Sequence, residues 1–233
     1  MAREILKRRY VFVLIATIII FLLGFFMGIV VNEKKAGVME QMKAIQDLDD
    51  LSLQLQFTYL NSLDVNSTEG CKAIGAALEQ SWINLNDAYN NLIKYKDNPD
   101  ADQATARLLE RNDLLNNIRY WFLLKKAKSS CELDDSVSVL FFFSEKSCSE
   151  CGTQSTILEH YKKILGDRFL LFHINGDVDD AMVKILANQY SVTKYPTVVI
   201  ENQKFEGVMQ KEEVKKLICS KFKTEQPECA AAQ

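Results

Sequence analysis

Val137-Ser138-Val139-Leu140-Phe141-Phe142-Phe143, then Cys148-Ser149-Glu150-Cys151, then Ile157, Leu158, Tyr161, Ile164 and Leu165 closed by Gly166: this run decides the fold. The first seven residues contain no breaker and are mostly β-branched or aromatic, the pattern of a buried strand. The apolar residues after the cysteines recur at helical spacing and stop at a glycine, the pattern of an amphipathic helix with its C-terminal signal. A dithiol therefore lies where a buried strand gives way to a helix. A helix start offers unpaired backbone N–H groups and the positive end of the dipole, which favour a thiolate on Cys148. Two intervening residues place the Cys151 sulfur about one turn along, close enough to attack a mixed disulfide or to close a ring. The expected chemistry is thiol–disulfide exchange.

Reading toward the C-terminus, Phe169-Leu170-Leu171-Phe172-His173-Ile174 is a second strand and Asn175-Gly176-Asp177 a turn. Met182, Ile185, Leu186 and Tyr190 mark a helix, Thr197-Val198-Val199-Ile200 a third strand, and Lys204 to Val208 a short fourth strand. Val214, Leu217 and Ile218 give a closing helix. The order is βαβαββα, with a parallel βαβ first part and a hairpin at the end.

On these residues the segment from about Asp134 to Phe222 resembles the thioredoxin family. The dithiol stands between first strand and first helix, and Ala187-Asn188-Gln189-Tyr190-Ser191-Val192-Thr193-Lys194-Tyr195-Pro196-Thr197 is similar to the family segment that leads to its cis-proline. Gly207 lies in the hairpin, and Lys211-Glu212-Glu213 opens the last helix. The resemblance implies that Cys148 is the attacking thiol and Cys151 the buried resolving thiol. It further implies that Pro196 is cis against the Cys148 sulfur and that the Tyr195 backbone pairs with a bound substrate strand. Two departures stand out. Ser147 occupies the place of a frequent aromatic residue, and Phe142 the place of a buried acid that assists proton transfer at the second cysteine. Glu145 and Glu150 are the nearby candidates for that acid. Glu150 inside the motif opposes a Cys148 thiolate, whereas Lys146 and the helix start favour it. The direction of exchange is therefore open, and the compartment inferred below favours oxidation or isomerisation.

Upstream, 37–130 has one proline, Pro99, and helical apolar spacing throughout. A first helix carries Val38, Met42, Ile45, Leu48, Leu55 and Tyr59. A second carries Ile74, Leu78, Trp82, Leu85, Tyr89 and Leu92 and stops at Asp97-Asn98-Pro99-Asp100. A third carries Ala104, Leu108, Leu115, Ile118 and Phe122 and ends in Lys125, Lys126 and Lys128, as a helix C-terminus favours. Short connections imply an antiparallel bundle with Trp82 and Trp121 in its core. Antiparallel packing brings Cys71, at the start of the second helix, beside Cys131, just past the end of the third, so a Cys71–Cys131 bridge is expected. The bundle reads as a spacer, or as a platform for a substrate or partner. Asn66-Ser67-Thr68 is an N-glycosylation sequon in an expected loop.

Arg3, Lys7, Arg8 and Arg9 precede an uncharged apolar run from Tyr10 to Val31, long enough at roughly 20 residues to cross a bilayer. No small-x-small cleavage site follows it, so the run reads as an uncleaved signal anchor. The basic bias places 1–9 in the cytoplasm and everything after about Asn32 outside, where disulfides persist. Gly24 and Gly28 form a GxxxG pair that would let two anchors pack into a homodimer; ordinary glycine placement in a membrane helix is the competing reading. Six cysteines, Cys71, Cys131, Cys148, Cys151, Cys219 and Cys229, permit three bridges without fixing their connectivity. A Cys219–Cys229 bridge would pin the end of the chain, which from Thr224 otherwise reads as a loose tail.

The expected organisation is thus a basic N-terminus (1–9), a transmembrane helix (10–31), an all-α antiparallel bundle (37–130), an α/β thioredoxin-like domain (134–222) and a flexible tail (223–233). The chain carries a net charge of −3 and neither a phosphate-binding glycine loop nor an HExxH pair, so nucleic-acid binding is not expected. His160 and His173 lack zinc-ligand spacing with the cysteines. No cofactor is called for beyond the Cys148–Cys151 disulfide. The partners implied are the lipid bilayer, exported or surface proteins bearing thiols or disulfides, and a membrane redox protein if the chain relays electrons. The alternative from another class is a non-catalytic binding or scaffold module whose CxxC disulfide is structural.

Overall fold

The computed structural model describes residues 13–26, 48, 51–64, 67–99, 101–131 and 135–230. The chain divides into two compact units, Met1–Tyr59 and Leu60–Gln233. In the first unit, 13–26 and 51–59 are helical. Among the described residues no helix is long and apolar enough to cross a membrane, and the expected span 10–31 runs past them at both ends. Gly28 and Asn66 lie outside the described residues, as does most of the expected first bundle helix.

The second unit opens with a helical hairpin, α1 (Thr68–Lys96) and α2 (Gln103–Ser130). Ser67 caps α1 by accepting from Gly70 N, and Asp102 caps α2 by accepting from Ala104 N and Thr105 N. The Tyr95 hydroxyl donates to Asp102 at 2.6 Å, locking the turn between them. That bond and the capping amides hold the Asp102 carboxyl well below the usual carboxylate range. At the other end of the hairpin, Leu60 packs with Ile74 and Ala127.

The seam of the hairpin differs from the expected one. The buried positions of α1 are Gly70, Ile74, Ser81, Ala88 and Leu92, so small residues let the helices approach. Trp82, expected in the core, is 49% exposed, and Tyr89, on the same expected apolar stripe, is 53% exposed. On α2 the buried stripe is Leu114, Ile118, Trp121, Leu124 and Ala127, while Leu108 and Phe122 face outward. A helix packed on two neighbours buries a stripe between their directions, which spacing alone does not locate.

The remaining elements are β1 (Val137–Phe143), α3 (Cys151–Leu165), a 3₁₀ turn (Gly166–Arg168), β2 (Phe169–Asn175), α4 (Ala181–Gln189), β3 (Thr197–Ile200), β4 (Gln203–Glu206), α5 (Lys211–Cys219) and the single turn α6 (Pro227–Ala230). The sheet order is β2-β1-β3-β4. β1 and β2 are parallel, with Val137 opposite Phe169, and β3 runs antiparallel to both β1 and β4.

Two cores flank this sheet. On one side Val139, Phe141, Val198 and Ile200 pack with Leu158 and Tyr161 of α3 and with Val214 and Ile218 of α5. On the other, Leu140, Phe142, Phe172, Ile174 and Val199 pack with Val183 and Leu186 of α4 and with Leu114, Ile118, Trp121 and Leu124 of α2. The hairpin therefore shares a core with the sheet, across the 130/134 boundary that the sequence suggests. Glu201 reinforces the join by accepting from Lys128 Nζ at 2.6 Å and from Ser138 N at 2.8 Å.

The described part of the tail expected to be loose, 223–230, is held. Asp135 accepts from Lys223 N at 2.9 Å and from Thr224 N at 2.7 Å. Arg168 bonds Gln226 and, at 2.7 Å, Glu228. Sequence pattern does not show such ties, because they are single polar contacts to residues far away in the chain.

Candidate redox site

β1 ends at Phe143 and the chain turns through Ser144–Ser147 before reaching Cys148. The helix that follows begins at Cys151, with Glu150 at its N-cap and no side-chain cap bond. Cys148 thus stands ahead of the first helical turn, because the helix starts three residues later than the sequence reading, which put Cys148 at its start. Cys148 and Cys151 are joined by a disulfide with their Cα atoms 5.5 Å apart. Cys151 is 6% exposed and sits in the α3–sheet core, whereas Cys148 is only partly buried at its border.

Register places the proline beside this loop. Thr197 lies opposite Phe142, so the preceding Pro196 stands at the carboxyl end of β1, where the cysteine loop begins. Pro196 is buried, its bond from Tyr195 is cis, and its carbonyl accepts from Gly207 N at 2.8 Å. Gly207 has φ +84°, which a side chain would strain. Tyr195 is half-buried and packs against both cores.

Sequence reading treats Asn175-Gly176-Asp177 only as a turn, yet this turn organises the cysteine loop. Ser144, 1% exposed, donates to Asp177 Oδ1 at 2.8 Å. Asp177 Oδ2 accepts from Glu145 N at 2.8 Å and Lys146 N at 3.0 Å. Ser144 Oγ accepts from Ser147 N at 2.9 Å and from the Ser147 hydroxyl at 2.8 Å. Burial by itself would raise the Asp177 pKa. The hydrogen bonds from Ser144, Lys146 and Glu145, with the Lys146 charge, outweigh it and hold the carboxyl below its usual range. Burial and the Asp177 charge together raise the Tyr195 phenol. A Cβ on Gly176 would run into the Tyr195 ring and hydroxyl. The signal available beforehand was an Asn-Gly-Asp turn at the carboxyl end of a strand parallel to the one carrying the cysteines.

The other expected residues fall elsewhere. Phe142 is fully buried, and both Glu145 and Glu150 are exposed, so neither supplies a buried acid. Cys71 is bridged to Cys131 at the open end of the helical hairpin, and Cys219 to Cys229 beyond α5. His160 lies against Tyr161. His173 is on β2 with Nε2 at 3.4 Å from Glu159, and burial lowers its pKa against the pull of that carboxylate. Among the described residues, no three Cys, His, Asp or Glu side chains form a group able to hold a metal ion.

No family model and no curated protein matches the chain. Solved structures do. One, described only as a malarial protein, is 25% identical over 37% of this chain and 98% of its own, with a TM-score of 0.33. Chloroplastic thioredoxin z is 20% identical over 36% of this chain and 77% of its own, with a TM-score of 0.32. Thioredoxin-2, a component of the malaria parasite protein secretion machinery, is 25% identical over 38% of this chain and 85% of its own, with a TM-score of 0.32. Independently of those scores, a β2-β1-β3-β4 sheet with β1 and β2 parallel, α3 and α5 on one face and α4 on the other fits the thioredoxin-like fold. The helical hairpin precedes it in the chain.

Proposed function

We propose that this protein is a membrane-anchored thiol–disulfide oxidoreductase working outside the cytoplasm on exported or surface proteins. The unequal exposure of the two cysteines supports this reading: Cys148 is only partly buried, and Cys151 is enclosed. In the oxidising direction, a client thiolate attacks the Cys148 sulfur. A client–Cys148 disulfide forms, the Cys148–Cys151 bond breaks, and its electron pair leaves on Cys151. A second client thiolate then attacks the client sulfur and releases Cys148. Two electrons have passed from the client dithiol to the Cys148/Cys151 pair, and reduction of a client disulfide is the same path reversed. The Tyr195 backbone and Pro196 would hold the client segment beside Cys148. The apolar run 10–31, preceded by basic residues, supplies the anchor and orientation.

One observation favours the binding-module alternative. Phe142, fully buried, offers no proton relay to Cys151.

Equilibrating the full chain in graded glutathione buffers, with alkylation and mass spectrometry, separates the two readings. An oxidoreductase is expected to give a potential between roughly −270 and −120 mV, and Cys151→Ser is expected to accumulate mixed disulfides with clients. A pair still oxidised below about −300 mV, with nothing trapped, assigns the disulfide to structure.

A further inference from the structure

Strand β2 ends the sheet, and among the described residues nothing pairs with its outer edge. An exposed edge is a template for another strand, and folded proteins normally cover it. Here the edge lies at the floor of a cleft of about 570 Å³ between α1 and α2 on one side and α3 on the other. Leu170, Leu171, Phe172 and His173 all line it. Consecutive strand residues point to opposite faces, so four in a row line one cleft only if it runs along the strand edge. A second hollow of about 340 Å³ shares Trp82, Tyr120, Lys162 and Leu170 and continues the groove to Ser136, just before β1.

The walls indicate what would lie there. Trp82 and Tyr89, half-exposed, face a groove rather than a core. Trp82 leads through Tyr120 to Phe172 in ring contacts of 5.8 and 5.9 Å. Asp113 sits in the same wall with Oδ1 buried and without a hydrogen-bond partner, although Oδ2 accepts from Asn117 Nδ2 at 3.3 Å. The nearby cations bond other groups, although the Lys96 charge also acts on Asp113. Lys96 pairs with Glu110 at 2.7 Å, and Lys162 Nζ donates to Gly166 O at 3.2 Å. Glu159 adds a second carboxylate beside His173. A buried carboxylate oxygen without a donor is unfavourable and is satisfied by an incoming N–H, most strongly a charged one.

We propose that this groove binds an extended segment of a partner polypeptide that pairs with the outer edge of β2 and directs a Lys or Arg side chain at Asp113. The segment's backbone satisfies the strand edge, its apolar side chains lie on Trp82 and Tyr89, and its cation pairs with the Asp113 carboxylate in the groove wall. This surface is separate from the cysteine loop, and its occupancy involves no electron transfer.

The test pans a randomised displayed heptapeptide library against the full chain in nanodiscs and then measures an enriched peptide by fluorescence anisotropy. Enriched sequences are expected to carry a Lys or Arg within an alternating β-forming stretch. Binding should weaken at least about tenfold on Asp113→Asn, and equally when the peptide's basic residue becomes norleucine. Methylating alternate peptide amides should abolish it, and backbone hydrogen exchange at 170–173 should slow when the peptide binds. Cys148→Ser should leave the affinity unchanged, so failure of the exchange reading and failure of this one are distinguishable. No enrichment, or enriched peptides indifferent to Asp113→Asn and to methylation, overturns the proposal. So does protection at 195–197 instead of β2. Protection already present without peptide and lost on deleting 32–47 assigns the groove to the chain's own segment. Protection that grows with protein concentration assigns it to a second copy. Either overturns a partner segment.

Discussion

Replacing Cys71 and Cys131 together by serine should destabilise the protein by about 4 kcal/mol. The bridge joins residues 60 apart in sequence, and the loop-closure relation for a loop of that size gives ~4 kcal/mol at 25 °C. Cys219 and Cys229 are 10 apart, for which the same relation gives ~2.7 kcal/mol. All four residues are partly buried, so the local change from sulfur to hydroxyl is similar at both sites. The difference of roughly 1.5 kcal/mol between the two double variants therefore isolates loop length. Urea unfolding of the full chain without reductant, followed by tryptophan fluorescence, reads it directly. Trp121 is 2% exposed in the core shared by α2 and the sheet, so its emission reports on loss of that core. The slope with urea should steepen in the Cys71/Cys131 variant, because its unfolded chain is freer and exposes more surface. A smaller loss in the Cys71/Cys131 variant than in the Cys219/Cys229 variant would refute the reasoning. Stabilisation would then come from local contacts and not from restriction of the unfolded chain.

Asp177→Ala removes the acceptor for Ser144, Glu145 and Lys146, and at about 1 kcal/mol per bond, less solvent compensation, should cost about 2 kcal/mol. Hydrogen exchange at 145–147 should accelerate in this variant, whereas exchange within β3 should not. Gly176→Ala puts a methyl group into the Tyr195 ring position, so it should lower the melting temperature and reduce client trapping by Cys151→Ser. Asp113 gives a pH signature. Burial raises its carboxyl from the ordinary 3.8 to about 6, partly offset by Lys96. Between those values the folded chain keeps a proton that the unfolded chain has lost, so this group's contribution falls as pH rises from 4 to 6. The difference corresponds to about 3 kcal/mol, or about 2 kcal/mol after discounting for solvent that reaches the group. Asp113→Asn cannot titrate, so it should match the parent near pH 4 and exceed it by about 2 kcal/mol above pH 7 in urea titrations. A parent that gains stability relative to Asp113→Asn across that range would show that the carboxylate is favourably paired.

Much of the α/β half is legible in the chain. An unbroken apolar run such as Val137–Phe143 has few ways to be satisfied other than as a strand buried on both faces. CxxC spacing fixes how far apart two sulfurs can be, and Asp97-Asn98-Pro99 must interrupt a helix. These are local constraints, set by bond geometry and by the period of each backbone conformation. Which face of each helix is buried was decided by tertiary structure. Trp82 and Tyr89 follow the helical period as faithfully as Ile74 and Leu92 do, but Ser81 and Ala88 form the seam because their small side chains allow α2 to come close. The partners of polar side chains were likewise decided in three dimensions. Asp177 is a turn residue by sequence and the anchor of the cysteine loop by structure, because parallel β1 and β2 bring their carboxyl ends together. Sequence period sets which residues share a face; only the packed chain sets what that face meets.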